Sequence, residues 1–239
     1  AKRLVDTYSL FIQNVMGGVR PVFSRFVGSK DYLRLKKRFI NITRMSVILN
    51  LFIGGNLIFF GEEFIHLWMG SDFVLSYNLM LILVVPSIIA LIQNPGISIL
   101  YATGKQHYYA ISNICEGVLN LILSIILVQH YGIYGIAIAS ATEMALFKLF
   151  VQPVMTCKAI RLSVKKYIID AVFIPMCKAV VFFLCYFLLI KDAVTFSYTS
   201  IAIWGVIEVI LFVPFAYIFI LTREEKDILS RSIQNLPQK

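Results

Sequence analysis

A chain of 239 residues that is 59% hydrophobic and only 15% charged, with mean hydropathy +0.82, carries more apolar surface than a soluble domain of this size can bury. Its net charge of +9 needs no nucleic-acid partner, because the basic residues gather in short connections between apolar stretches. Anionic lipid headgroups are the natural counter-surface for such loops.

A bilayer core about 30 Å thick takes about 20 apolar residues of helix to cross. Stretches of that kind recur over 5–28, 39–60, 73–101, 107–129, 133–156, 168–190 and 199–221. The predicted fold is all-α, a polytopic bundle of seven transmembrane helices. The connections alternate in charge. Residues 29–39, 102–106, 157–167 and the tail after 221 together hold fourteen Lys and Arg, whereas 61–72, 130–132 and 191–198 hold one, Lys191. Positive loops stay in the cytoplasm, so the C-terminus is expected there and the first span runs from outside to inside. Lys2 and Arg3 then fall on the outer side. The chain opens on Ala1 with no basic leader, and it is expected to be an excerpt of a longer protein.

In the first span, Gln13, Gly17, Arg20 and Ser24 recur at spacings of 4, 3 and 4, which is one polar helix face. Arg20 lies roughly 12 Å from the inner end at about 1.5 Å per residue. An arginine at that depth faces protein or water, or snorkels to the headgroups. Pro21 beside it removes a backbone donor and favours a kink. The connector at 29–38, SKDYLRLKKR, suits a short interfacial helix. In the second span, adjacent Gly54 and Gly55 suggest close packing or a bend.

The third span carries Pro86 and then Gln93, Asn94, Pro95 and Gly96, a broken helix that only protein or a cavity tolerates at such depth. The fourth span has a polar stripe of Asn113, Glu116, Asn120 and Ser124. It reads either as an interhelical hydrogen-bond seam or as the wall of a hydrated cavity. The fifth has the small-residue row Gly132, Gly135 and Ala139, then Glu143 and Lys148. By depth, Lys178 in the sixth span and Glu208 in the seventh are expected to pair, as are Glu116 and Lys148. Arg20, Lys148 and Lys178 are cations in the inner half, a set that suits a phosphate or pyrophosphate headgroup.

No nucleophile elbow, phosphate-binding loop or zinc-protease motif occurs. Cys115, Cys157, Cys177 and Cys185 lack metal spacing and read as small apolar residues. His66, His107 and His130 are scattered over different faces, so no metal site is expected.

The stretch 113–142, NICEGVLNLILSIILVQHYGIYGIAIASAT, carries an N-L-x-L pattern at Asn120–Leu123 and Y-G-I-x-G-x-A-x-A at Tyr131–Ala139. Upstream stand Pro21-Val22-Phe23-Ser24-Arg25 before the basic connector, and Phe64-Ile65-His66-Leu67-Trp68-Met69-Gly70. In order and spacing these resemble the polysaccharide-export branch of the MOP superfamily, which also holds MATE drug exporters and lipid II flippases. The resemblance implies helices 8–14 of a fourteen-helix plan. Residues 1–157 would form five helices of a second lobe, 158–221 two additional C-terminal helices, and 222–239 a cytoplasmic tail.

The implied function is non-enzymatic. It is the flipping of undecaprenyl-pyrophosphate-linked oligosaccharides, such as O-antigen or capsule repeats, across the bacterial inner membrane by alternating access. The resemblance makes Arg20 the leading headgroup contact, with Asn120 matching the family pattern; Lys148 and Lys178 rest on depth and charge. Gln13, Ser24, Asn113, Glu116 and Ser124 are cavity-wall candidates, and Glu116 and Glu143 are candidates for a coupling proton or Na⁺. Expected partners are the lipid-linked substrate, membrane lipids, other polysaccharide-assembly proteins and the N-terminal half of the same protein. The competing readings are a lipid II flippase, a MATE-type exporter, and a membrane-embedded polymerase or ligase. The last would call for a larger outer loop than the dozen residues found here.

Overall fold

The computed structural model describes residues 2–70, 74–190 and 197–227, and no strand occurs among them. Helical stretches long and apolar enough to cross a membrane run over Tyr32–Met69, Ser76–Ala102, Gln106–Tyr131, Ile133–Ala159, Val164–Ile190 and Tyr198–Ile220. They correspond to the predicted second to seventh spans, and the chain is a multi-pass membrane protein.

The first predicted span, 5–28, is divided between two shorter helices, α1 (Lys2–Gly17) and α2 (Arg20–Gly28). Pro21 sits in the first turn of α2, where its missing N–H costs nothing, so the expected kink is a full break at 18–19. Helix α1 buries Val5, Tyr8, Ile12 and Met16, a stripe spaced for one helical face. That stripe packs on Val47, Val84, Ile88 and Leu91. The Tyr8 hydroxyl donates to Asn50 Oδ1 at 2.8 Å.

Helix α3 runs unbroken over Tyr32–Met69. This corrects one expectation. The basic connector is no separate interfacial helix: the Asp31 side chain caps the backbone N–H of Arg34 at 3.1 Å and starts the long helix there. The Gly54–Gly55 pair permits close packing, one of the two roles expected of it, since a Cβ on Gly54 would lie 2.6 Å from Ile88 and one on Gly55 3.2 Å from Phe183. The predicted outer loop at 64–70 is helical through Met69, and Gly70 ends the helix at φ 95°. Residues 71–73, 191–196 and 228–239, with parts of the predicted outer loops and of the tail, lie outside the described residues.

Helices α4 (Val74–Ile92) and α5 (Asn94–Ala102) form one span broken at Gln93, just before Pro95. Pro86 is accommodated inside α4. The break faces protein. Gln152 Nε2 donates to the Gln93 carbonyl at 3.0 Å, and the Tyr167 hydroxyl donates to Gln93 Oε1 at 2.8 Å.

Helices α6 (Gln106–Tyr131) and α7 (Ile133–Leu146) form a hairpin around Gly132, whose φ of 55° and ψ of −134° suit glycine alone. Helix α7 continues through a π-helical segment, Phe147–Val151, into α8 (Gln152–Ala159). A short turn, α9 (Val164–Lys166), leads through a second π segment, Tyr167–Phe173, into α10 (Ile174–Ile190). The last helix, α11 (Tyr198–Phe215), also ends in a π segment, Ala216–Ile220.

Four cores hold the bundle among the described residues, the smallest of them around Phe60, Tyr186 and Ile190. One joins α1, α3 and α4. A second, around Phe23, Phe39, Ile99 and Tyr167, joins α2, α3, α5 and the segment before α10, with Phe39 and Tyr167 stacked at 5.1 Å. A third seats α10 and α11 on α3 through Phe52, Phe182 and Phe212. The loops assigned to one side by charge meet at one end. Lys105 Nζ donates to the Ala159 carbonyl at 3.2 Å, and Lys37 pairs with Glu224.

Candidate functional site

Three of the four residues of the polar face predicted on the first span stay together across the helix break. Gln13, Gly17 and Arg20 line a cavity of about 320 Å³, together with Met16 and residues of α5 and α6: Asn94, Ile97, Ser98, Tyr101 and Tyr109. Arg20 begins α2, so the break turns its side chain across toward α5. Its guanidinium lies 4.3 Å from the centroid of the Tyr101 ring, a cation–π contact. Arg20 forms no ion pair among the described residues. A stacked guanidinium keeps its in-plane N–H donors available.

Tyr109 joins this cavity to a second cluster. Its ring lies 6.4 Å from that of Tyr101 on one side and 5.6 Å from Lys148 Nζ on the other. Lys148 sits in the π segment after α7 and donates to Glu116 Oε2 at 2.9 Å. This is the pair expected from depth. Both side chains are nearly shielded, 11% and 13% exposed. The wider π turn shifts the helical register, as such bulges often do at functional positions. Glu143 is buried and faces both Glu116 and Lys148, and its Oε2 has no hydrogen-bond partner. Glu143 therefore stands as a second carboxylate beside an ammonium that pairs with Glu116.

Asn120 and Ser124 answer the question left open for the α6 stripe. Asn120 Nδ2 donates to Ser140 Oγ at 3.0 Å and to Glu143 Oε1 at 3.5 Å, and Ser124 donates to Asn120 Oδ1 at 3.4 Å. They form an interhelical seam. Ser24 and Asn113 are exposed and do not line the cavity.

Lys178 stands apart from this cluster. It lines a different cavity and donates to the Phe219 carbonyl at 2.8 Å. The expected Lys178–Glu208 pair is absent. Glu208 is buried and accepts from Asn56 Nδ2 at 2.8 Å. Equal depth was the wrong criterion, because α10 brings residue 178 beside the final π turn rather than beside the middle of α11.

Sequence reasoning passed over Tyr101 and Tyr109, which lie outside the polar periodicity it followed, and met Asn94 only as part of the helix break. It also passed over Arg44, a cation inside a predicted span. Arg44 is buried, pairs with Glu225 at 2.8 Å, and donates to the carbonyls of Asp170 and Ile220 at 2.7 Å each. Its depth in the apolar stretch was the available signal. Among the described residues, no group of His, Cys, Asp and Glu is arranged to hold a metal.

The cluster draws on α1, α2, α5, α6, α7 and the π segment after it. The chain is 26% identical over 145 residues to the "Probable low-salt glycan biosynthesis flippase Agl15" of Haloferax volcanii, a match covering 61% of this chain and 31% of that protein. The aligned part is thus about a third of that relative's length. No solved structure matches. The profile of the MatE family matches residues 2–126, more than half of the chain, with the whole Arg20 cavity inside the match and Glu143 and Lys148 beyond it. On that match this membrane protein belongs to the MatE family, within the MOP superfamily.

Proposed function

We propose that this chain is the C-terminal half of a flippase that moves lipid-linked oligosaccharides across the bacterial inner membrane by alternating access, with its basic end and C-terminus in the cytoplasm. The observation that carries the reading is Arg20. It is an exposed, unpaired cation at the mouth of a polar cavity inside an otherwise apolar bundle. A cation held there by stacking on Tyr101 binds a phosphate in-plane while the lipid tail stays in the bilayer. The exposed ring of Tyr101 offers a flat surface for a sugar. The relative's role in glycan biosynthesis points to the same substrate class, and transport rather than enzymatic chemistry fits the family.

Glu143 supplies the coupling site. A proton on it neutralises the carboxylate left over once Lys148 pairs with Glu116. A proton-coupled exporter of cationic compounds is the second reading, favoured by the same orphaned carboxylate. Arg20→Ala in the full-length protein separates the two. The flippase reading expects surface polysaccharide to fall at least tenfold at unchanged expression. Normal polysaccharide at normal expression overturns it, and retained efflux of a cationic dye would then favour the exporter.

A further inference from the structure

A second cavity, of about 640 Å³, opens at the basic end between α3, the start of α10 and the end of the last helix. Five basic residues line it, Lys37, Arg44, Lys166, Lys178 and Arg223, against two acidic ones, Asp170 and Glu224. Much of this charge is already matched. Lys37 pairs with Glu224, and the hydrogen bond from its ammonium holds that carboxyl below the usual glutamate range. Arg44 is spent on Glu225 and two carbonyls.

Three cations are left. Lys166 and Arg223 are exposed and have no ion-pair partner among the described residues. Lys178 gives one N–H to the Phe219 carbonyl, which orients it and leaves two donors. The wall beside them is apolar and outward-facing, with Ile174 36% and Phe219 58% exposed. Cations at a helix-bundle end, opening sideways onto a lipid-facing wall, match a ligand with an anionic head and an apolar tail.

We propose that this cavity binds the phosphate headgroup of an anionic phospholipid. Lys166, Lys178 and Arg223 contact the phosphate, and the acyl chains lie along Ile174 and Phe219. The lipid clamps the last helix to α3. The site lies apart from the Arg20 cavity and does not rest on the transport reading.

The test is native mass spectrometry of the full-length protein titrated with phosphatidylglycerol or phosphatidylcholine. Phosphatidylglycerol is expected to bind saturably and phosphatidylcholine not to. Lys166→Ala with Lys178→Ala is expected to weaken binding about thirtyfold, the factor for two lost surface cations. The Lys166→Arg, Lys178→Arg double variant restores most of it. Lys158→Ala, an exposed basic residue outside the cavity, leaves binding unchanged. If the double alanine variant does not fold, the single Lys166→Ala is read instead, at about fivefold. The proposal is overturned by equal binding in wild type and variant, by an equal loss in Lys158→Ala, or by glycerol phosphate competing at the lipid's own concentration, which would assign the cavity to a soluble phosphate.

Discussion

Lys148 Nζ and Glu116 Oε2 lie 2.9 Å apart, tying the π segment after α7 to the middle of α6 where both side chains are almost shielded. Most of the apolar surface of α6 touches nothing in the chain. Its place is fixed by the α7 hairpin and this polar link.

Breaking that pair from one side leaves a lone charge in a low-dielectric setting. Lys148→Met and Glu116→Gln are each expected to lower stability by about 3 kcal/mol. The double variant loses less than the sum, because no uncompensated ion remains. Thermal unfolding in detergent of the two singles and the double closes the cycle. Additive losses would mean the pair is uncoupled.

Gly135 sets the α6–α7 distance. A Cβ there would stand 2.3 Å from the Leu127 carbonyl oxygen, a backbone atom that moves only if the hairpin opens. Gly135→Ala is expected to destabilise by about 1–3 kcal/mol. Gly117→Ala on α6 meets nothing within 4 Å and should be neutral or stabilising by up to about 1 kcal/mol. Unfolding midpoints of the two variants decide this. Similar losses in both would remove the steric argument.

Arg44 docks residues 220–225 onto α3. Its planar fork meets a carboxylate and two carbonyls from separate directions, which a single lysine ammonium cannot do. Arg44→Lys is therefore expected to behave like Arg44→Ala, at about 3–5 kcal/mol, and to expose the chain after Leu221 to limited proteolysis. Lys37→Ala, which removes an exposed pair 63% and 49% open, should change stability by no more than about 1 kcal/mol. Protease resistance in Arg44→Lys would refute the docking role.

Tyr167 holds the break in the third span. Its hydroxyl is the donor to Gln93 Oε1, deep in the second core. Tyr167→Phe keeps the ring stack on Phe39 but orphans that oxygen, at an expected cost of about 1–3 kcal/mol. An unchanged unfolding midpoint would show that water replaces the hydroxyl.

The Glu116–Lys148 pair was legible because both charges lie in spans joined by a tight turn, which makes depth a fair guide to contact. Lys178 and Glu208 share a depth as well, yet 191–198 is a longer connection, and the π turn at 216–220 gives Lys178 a nearer carbonyl. Asn120 matched a family pattern, but its hydrogen bonds stay within the α6–α7 seam. Arg44 was missed because its partners lie more than a hundred residues away, and no local periodicity points to them.

That the chain is apolar, helical and multi-pass, with alternating basic connections, was already legible in its residues. Those properties depend on composition, on period and on the cost of bare backbone in lipid, all of which are local. It took the folded bundle to set Arg20 over Tyr101 in a cavity that Tyr109 also lines, to bring Glu143 beside the Lys148–Glu116 pair, and to fasten the Ile220 carbonyl and Glu225 to Arg44. Those relations depend on helix rotation and register, and between apolar helices in a bilayer these are set by side-chain packing and small-residue contacts rather than by the span pattern.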